Sequence, residues 1–149
     1  MMEIFVGWHQ DEEAFKQVLQ CLVELLLPYV HALTAAGADI LCYADPAAML
    51  WLVGPQFSRV LTQHFTLPFL RQVMAETDDI PVHLCPHIVA ALDDLQMLTR
   101  RQLPLPADLP YEQACLAMRS WGRLCGQHCL EQYGAMPQVS VLTELQLQE

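Results

Sequence analysis

The sequence predicts an α/β architecture built on a parallel sheet, and three observations carry that expectation. Strand-like and helix-like segments alternate along the chain, the order expected of βα units. The segment ADILCYAD, residues 38–45, is nearly all apolar, as in a strand buried on both faces. The chain has 149 residues, 54% of them hydrophobic, which suits a single domain spanning 1–149 with a real core. In folds of this class the chemistry gathers at the carboxyl ends of the strands.

Residues 11–36 read as one long helix. Asp11 is a natural N-cap, followed by Glu12 and Glu13 in the first turn. Phe15, Val18, Leu19, Leu22, Leu25, Leu26, Tyr29, Val30 and Leu33 recur at helical spacing. Pro28 is expected to kink the helix and Gly37 to stop it. After strand 38–45, residues 46–54 read as a loop or short helical turn. Pro55 opens a helix, PQFSRVLTQHF, with a break expected before Leu67-Pro68, and FLRQVMAE continues to about Glu76. IPVHL, 80–84, reads as the next strand, followed by a helix over 88–99 with Asp93 and Asp94 on its wet side. RRQLPLPADLP is expected to be a Pro-rich connector with at most a short strand near Leu103. YEQACLAMRSW is a helix ended by Gly122, and RLCGQHC a strand running into a turn. In the tail, VSVL favours a strand and TELQLQE a helix.

Charge narrows the function. Seven basic and seventeen acidic residues give a formal charge of −10. Phosphate binding needs Lys and Arg to displace counterions, so nucleic acid is excluded, and an anionic membrane surface with it. LVELLLPYVHAL is interrupted by Glu24, Pro28 and His31, so it is not read as a membrane span. The opening MMEIFVGWHQDEE turns acidic at once and lacks a basic n-region, so no secretory leader is expected. Six cysteines without a leader suggest reduced thiols in a cytoplasmic protein. Charged residues make up 16%, against roughly 25% in an average domain. That low share points to a partner, or to a truncated larger domain.

Two clusters bear metal-type donors. HLCPH, residues 83–87, closes a strand. His83 and Cys85 are two apart and so share a face, and imidazole and thiolate are both zinc ligands. Buried side chains of no chemical consequence would look the same. LCGQHC brings Cys125, His128 and Cys129 to another strand end, so both clusters can share one rim. Asp45 ends strand 38–45, either as a turn former before Pro46 or as a carboxylate facing the mouth of the α/β layer. Gly126 permits close backbone approach by a ligand, or simply a turn. Cys21, Cys42 and Cys115 read as core, Trp51, Trp121 and Met49 as packing, and Arg100-Arg101 as a solvated pair. No serine has a G-x-S-x-G context, and there is no G-x-G-x-x-G or Walker pattern.

Taken in series, the motifs resemble the uroporphyrinogen decarboxylase superfamily, nearest to its cobalamin-dependent methyltransferases of the methylcobamide:coenzyme M type. They are Gly37-Ala38-Asp39, Asp45-Pro46, Pro55-Gln56-Phe57, Leu67-Pro68-Phe69, His83-Leu84-Cys85 and, about forty residues on, Cys125-Gly126-Gln127. The order agrees over about residues 11–134. The resemblance implies a (β/α)8 (TIM-barrel-like) fold, of which this chain would be about half. It implies zinc at His83 and Cys85, with a further cysteine near the family's chain end completing the protein ligands, a place that Cys129 or His128 could take here. It implies that zinc lowers the pKa of an acceptor thiol, whose thiolate takes a methyl group from a corrinoid on a partner protein. Asp45 would orient substrate, and Gly126 and Gln127 would lie on the cofactor side.

The chain departs from the family pattern in three ways. It has less than half the usual length, Pro86 replaces the glycine after H-x-C, and the family's late cysteine would fall beyond Glu149. A partial barrel has open strand edges, so a homodimer or a barrel-completing subunit is expected. Two functions lead, ahead of a decarboxylase-like tetrapyrrole enzyme, for which so much of the barrel is missing. One is a zinc-dependent methyltransferase-like protein in corrinoid-linked methyl transfer. The other is a non-catalytic half-barrel that binds a corrinoid, a tetrapyrrole or a partner protein.

Overall fold

The structure, a computed structural model, describes residues 2–45, 50–77, 80–120, 122–130 and 135–148. Pro46, Met49 and Trp121 lie outside the described residues. A first helix, α1 (Met2–Gln10), precedes the long one, where no element had been expected. Asp11 caps α2 (Glu12–Ala35) as anticipated, its carboxylate accepting from the Ala14 N–H at 3.0 Å. The helix runs through Pro28 and ends at Gly37, whose φ of +87° is open to glycine at little cost. There the Gly37 and Ala38 N–H groups turn back to the carbonyls of Thr34 and Leu33, at 3.0 and 3.1 Å, which satisfies two orphan acceptors.

Strand β1 (Leu41–Tyr43) leads to α3 (Leu50–Val53) and α4 (Pro55–Leu61), and Pro55 sits in the first turn of α4. The expected break before Leu67-Pro68 does not occur. The chain widens into a π turn over Thr62–Thr66, in which the Leu67 N–H reaches the Thr62 carbonyl, and continues as α5 (Leu67–Glu76). Pro68 has no N–H to return to the preceding turn, and the wider turn absorbs that gap without ending the helix. Strand β2 (Val82–Leu84) follows, then α6 (Pro86–Asp94), shorter than expected and opened by Pro86.

The connector reading of RRQLPLPADLP is overturned. Residues Leu98–Pro110 form β3, which pairs antiparallel with β5 (Gln138–Leu147), so the tail is strand throughout. Prolines are tolerated because a two-stranded ribbon leaves each strand one unpaired side. The register shifts between Pro104 and Leu109, which takes Pro106 out of the ladder. Between these strands lie α7 (Tyr111–Ala117), a 3-10 turn (Met118–Ser120) and β4 (Leu124–Cys125).

The described strands thus form two sheets. One is parallel, in the order β1-β2-β4, with Leu41, Val82 and Leu124 aligned, then Cys42, His83 and Cys125. The other is the β3–β5 ribbon, so β3 does not join the parallel array. The helix-facing side of the parallel sheet presents Leu41, Val82, Leu84 and Leu124 to Val23, Leu70, Val73, Ile88 and Leu92. On the opposite side Cys125 packs with Tyr111, Cys115 and Met118 and with the ribbon's Val139 and Leu142.

The pair Arg100-Arg101 is exposed, as expected of solvated residues, and also ties elements together. Arg100 meets Asp93 of α6, and Arg101 meets the buried Glu144 of β5 at 2.6 Å. Helix α2 buries Leu19, Val23 and Val30 and leaves Val18, Leu22, Leu25 and Tyr29 exposed. By length and composition alone α2 could cross a membrane. Its buried side packs on α5, and Glu24 lies midway along it, as in the outer helix of an α/β layer.

Candidate functional site

The site follows from strand register. Neighbours aligned across parallel strands point to the same face, so Cys42, His83 and Cys125 form one row on the side that carries α7 and the ribbon. The pairing extends one step further, because the Cys85 N–H donates to the Tyr43 carbonyl at 2.9 Å. This sets Cys85 beside Ala44, two residues on from His83 and on the same face. Cys42, Ala44, His83 and Cys85 make a floor at the carboxyl end of the sheet. Cys129 and Leu130 return over it after β4. Together with Tyr43 they line a cavity of about 20 Å³, the volume of one ion or one water.

All three residues expected to hold a metal, His83, Cys85 and Cys129, therefore meet at one cavity. A fourth donor lines it as well: Cys42, which was read as core and is exposed instead. Cys21, also read as core, lies on the exposed side of α2. The alternation along Leu41-Cys42-Tyr43 showed which way Cys42 points, but alignment with His83 is a property of strand pairing that one sequence does not display.

His83 is 3% exposed, and its Nε2 lies 2.8 Å from the His128 carbonyl oxygen. A carbonyl can only accept, so Nε2 carries the proton and the ring lone pair falls on Nδ1. Metal-binding histidines commonly hold one ring N–H against a backbone carbonyl in this way. Tyr111 meets both the His83 and His128 rings edge-on, with centroids at 5.9 and 5.0 Å. Burial, more than any neighbour, pushes the Tyr111 phenol well above its ordinary value, so it stays neutral.

The donor chemistry, nitrogen with several sulfurs, fits zinc. Convergence does not follow automatically: among the described residues no three His, Cys, Asp or Glu side chains stand close enough to hold an ion.

The other expected site residues sit elsewhere. Asp45 is half-buried two positions beyond β1 and does not line the cavity. Tyr43 is pushed far above its ordinary pKa, chiefly by burial; the Thr66 hydroxyl opposes the shift and the Asp45 charge adds to it. Gly126 and Gln127 line a separate cleft of about 340 Å³ with Pro86, Asp93, Arg100 and Thr143. A side chain at Gly126 would meet Val89 Cγ2 at 2.6 Å and the Leu84 carbonyl oxygen at 2.8 Å, so close packing requires glycine. The Gln127 N–H donates to the Tyr111 hydroxyl at 2.8 Å, and its side-chain oxygen accepts from the Thr143 N–H at 3.2 Å. Cys125 and Cys115 lie with their sulfurs 3.6 Å apart, both buried. Their shared hydrogen bond holds Cys115 below its ordinary value and, together with burial, raises Cys125 far above it.

Comparison with known proteins gives a consistent picture. The family model for uroporphyrinogen decarboxylase (URO-D) matches residues 2–105. That span holds Cys42, Asp45, His83 and Cys85, and it ends before Gly126, Gln127 and Cys129. The methylcobamide:CoM methyltransferase MtaA of Methanosarcina barkeri is 30% identical over 92 residues, 61% of this chain and 26% of that protein. Its counterpart from Methanosarcina barkeri (strain Fusaro / DSM 804) is 29% identical over 92 residues, with the same shares. The chain thus matches about a quarter of the length of these relatives. No solved structure matches.

Proposed function

The chain belongs to the uroporphyrinogen decarboxylase family, and on that premise we propose that it acts in corrinoid-linked methyl transfer to a thiol or similar acceptor, with zinc held by His83, Cys85 and Cys129. The observation that carries this reading is the single cavity shared by those three side chains at the carboxyl end of a parallel sheet. The likeness to a methylcobamide:CoM methyltransferase supports the substrate class. Zinc bound there would lower the pKa of an acceptor thiol, so that the nucleophile is the thiolate.

The chain's own groups do the positioning. The His128 carbonyl holds the His83 ring in one tautomer. Asp45, just past β1, orients the acceptor at the mouth, and Gly126 and Gln127 border the neighbouring cleft on the cofactor side. A cavity of about 20 Å³ does not enclose a corrin ring, so the corrinoid is carried by a partner protein or lies across the open face.

We further propose that the single domain 1–149 is a partial barrel, completed by a second copy or by a companion subunit, and that it works in the cytoplasm. Strand β1 is an edge of its sheet among the described residues, and beside it an apolar groove of about 270 Å³ runs between α2 and β1. Exposed Leu25 and Tyr29 of α2 continue that apolar surface.

The second reading, a non-catalytic half-barrel that binds a corrinoid, a tetrapyrrole or a protein, is favoured by one observation: no three described donors yet converge. Methylcobalamin mixed with a small thiol separates the two. Loss of the methylcobalamin spectrum, dependent on Cys85, supports transfer. A spectral shift on binding, with no thiol methylated, supports the binding module.

A further inference from the structure

We infer that the exposed face of α2 is the contact with a second copy of this chain, the two helices lying antiparallel across a two-fold axis. This rests on the reading above that a partner covers the α2–β1 side, and it selects a second copy over a companion subunit. Helix α2 is apolar on two faces. One meets the core through Leu19, Val23 and Val30, and the other leaves Val18, Leu22, Leu25 and Tyr29 in solvent. These four are spaced by four, three and four residues, the repeat by which one helix seats another. Leu25 is 71% exposed and Tyr29 63%, so the core accounts for neither.

Three features fit a second copy. The first is charge. At a formal charge of −10, repulsion opposes self-association least where the meeting surfaces are neutral. The stripe on α2 carries no charge, because Glu13, Lys16, Gln20 and Glu24 line a cleft on the other flank of the helix, with His64 and Gln72. The second is shape. The stripe widens from Val18 to Tyr29, so an antiparallel copy sets the smallest side chain against the largest, and Leu22 against Leu25, at both ends alike. A closed two-fold contact requires such self-complementarity. The third is area. With Leu26, the stripe leaves roughly 500 Å² uncovered, about the largest patch a lone monomer shows. The apolar groove of about 270 Å³ beside it, lined by Leu26, Tyr29, Leu33 and Ile40, extends that surface toward the ~800 Å² per partner of a stable interface. A bilayer fits less well, because the lysine of α2, Lys16, is paired with Glu12 and Glu13 and does not flank the stripe to meet headgroups.

Sedimentation velocity of the tag-free reduced protein, from low to high micromolar concentration, is the test, with circular dichroism to verify that each variant folds. Wild type should reach twice the chain mass. Leu25→Glu and Tyr29→Glu should each weaken dimerisation at least about a hundredfold, because a charge enters the seam. Leu116→Glu, the same kind of change at an exposed apolar residue of α7, should match wild type. When Val18→Cys and Tyr29→Cys chains, both also Cys21→Ser, are mixed and oxidised, the linked peptides should join position 18 of one chain to position 29 of the other. Links between like positions alone would overturn the antiparallel contact. A dimer that Leu25→Glu leaves intact would overturn the α2 contact while keeping a second copy as the partner. Wild type that stays at the chain mass throughout would overturn the choice of a second copy, and the companion subunit and the methyl-transfer reading would stand on their own tests. Binding of a monomer to phosphatidylcholine vesicles, lost in Leu25→Glu, would overturn the inference by assigning the face to lipid.

Discussion

The parallel sheet and the antiparallel ribbon hold their strands by different means. Strands β1, β2 and β4 are only three, three and two residues long, too short to persist by their ladder alone. They are fixed by helices packed on one face and by α7 on the other. The ribbon strands run 13 and 10 residues and pair along most of their length. The candidate site belongs to the first kind. The placement of Cys42, His83 and Cys85 is therefore set by core packing, and damage to the core should reach the site.

The largest effect is expected where the two regions touch. Gly126 lies against Val89 of α6, the Leu84 carbonyl of β2 and Leu145 of the ribbon. The carbonyl is backbone and cannot step aside, so Gly126→Ala should cost about 3 kcal/mol in urea unfolding. Of similar size are Leu84→Ala in the parallel layer and Leu142→Ala under the ribbon, both fully buried, at about 3 kcal/mol each. Leu98 and Leu145 of the ribbon share an apolar cluster with Leu84, so both variants should unfold in one transition. Two separate transitions would break the picture of joined regions.

Alkaline pH gives a graded test. Tyr43 and Tyr111 are raised above their ordinary value when folded, mainly by burial. The unfolded chain therefore gives up these protons first. Their contribution is intact below about pH 10 and is lost as pH rises beyond it, by up to about 1.4 kcal/mol per unit for each phenol. Urea melts between pH 9 and 11 should show this slope, reduced in Tyr111→Phe. At neutral pH the same variant loses the bond from the Gln127 N–H, worth about 1 kcal/mol. The smallest effect is expected at the exposed Arg59–Asp94 pair, where Arg59→Ala should stay within about 0.5 kcal/mol.

Legibility in the sequence followed the same division. Asp11, Gly37 and Pro55 announced helix ends because capping and proline geometry are local. HLCPH was legible as a strand end with two donors on one face, since alternation along a strand is also local. The ribbon was not: Pro104, Pro106 and Pro110 argue against a strand, and what admits them is a partner strand some thirty residues later. The Pro68 break was misread because a π turn re-pairs the chain around a proline. Cys42 looked like core for the same reason that the ribbon looked like a connector. What lies beside a residue is decided by pairing between distant segments.

The most direct measurement is the zinc content of tag-free protein purified under reducing conditions, wild type against Cys85→Ser. About one zinc per chain in wild type, lost in the variant, is the predicted result. Metal-free wild type, or zinc retained without Cys85, would contradict the account and leave His83 and the thiols around it as the lining of an ordinary strand end.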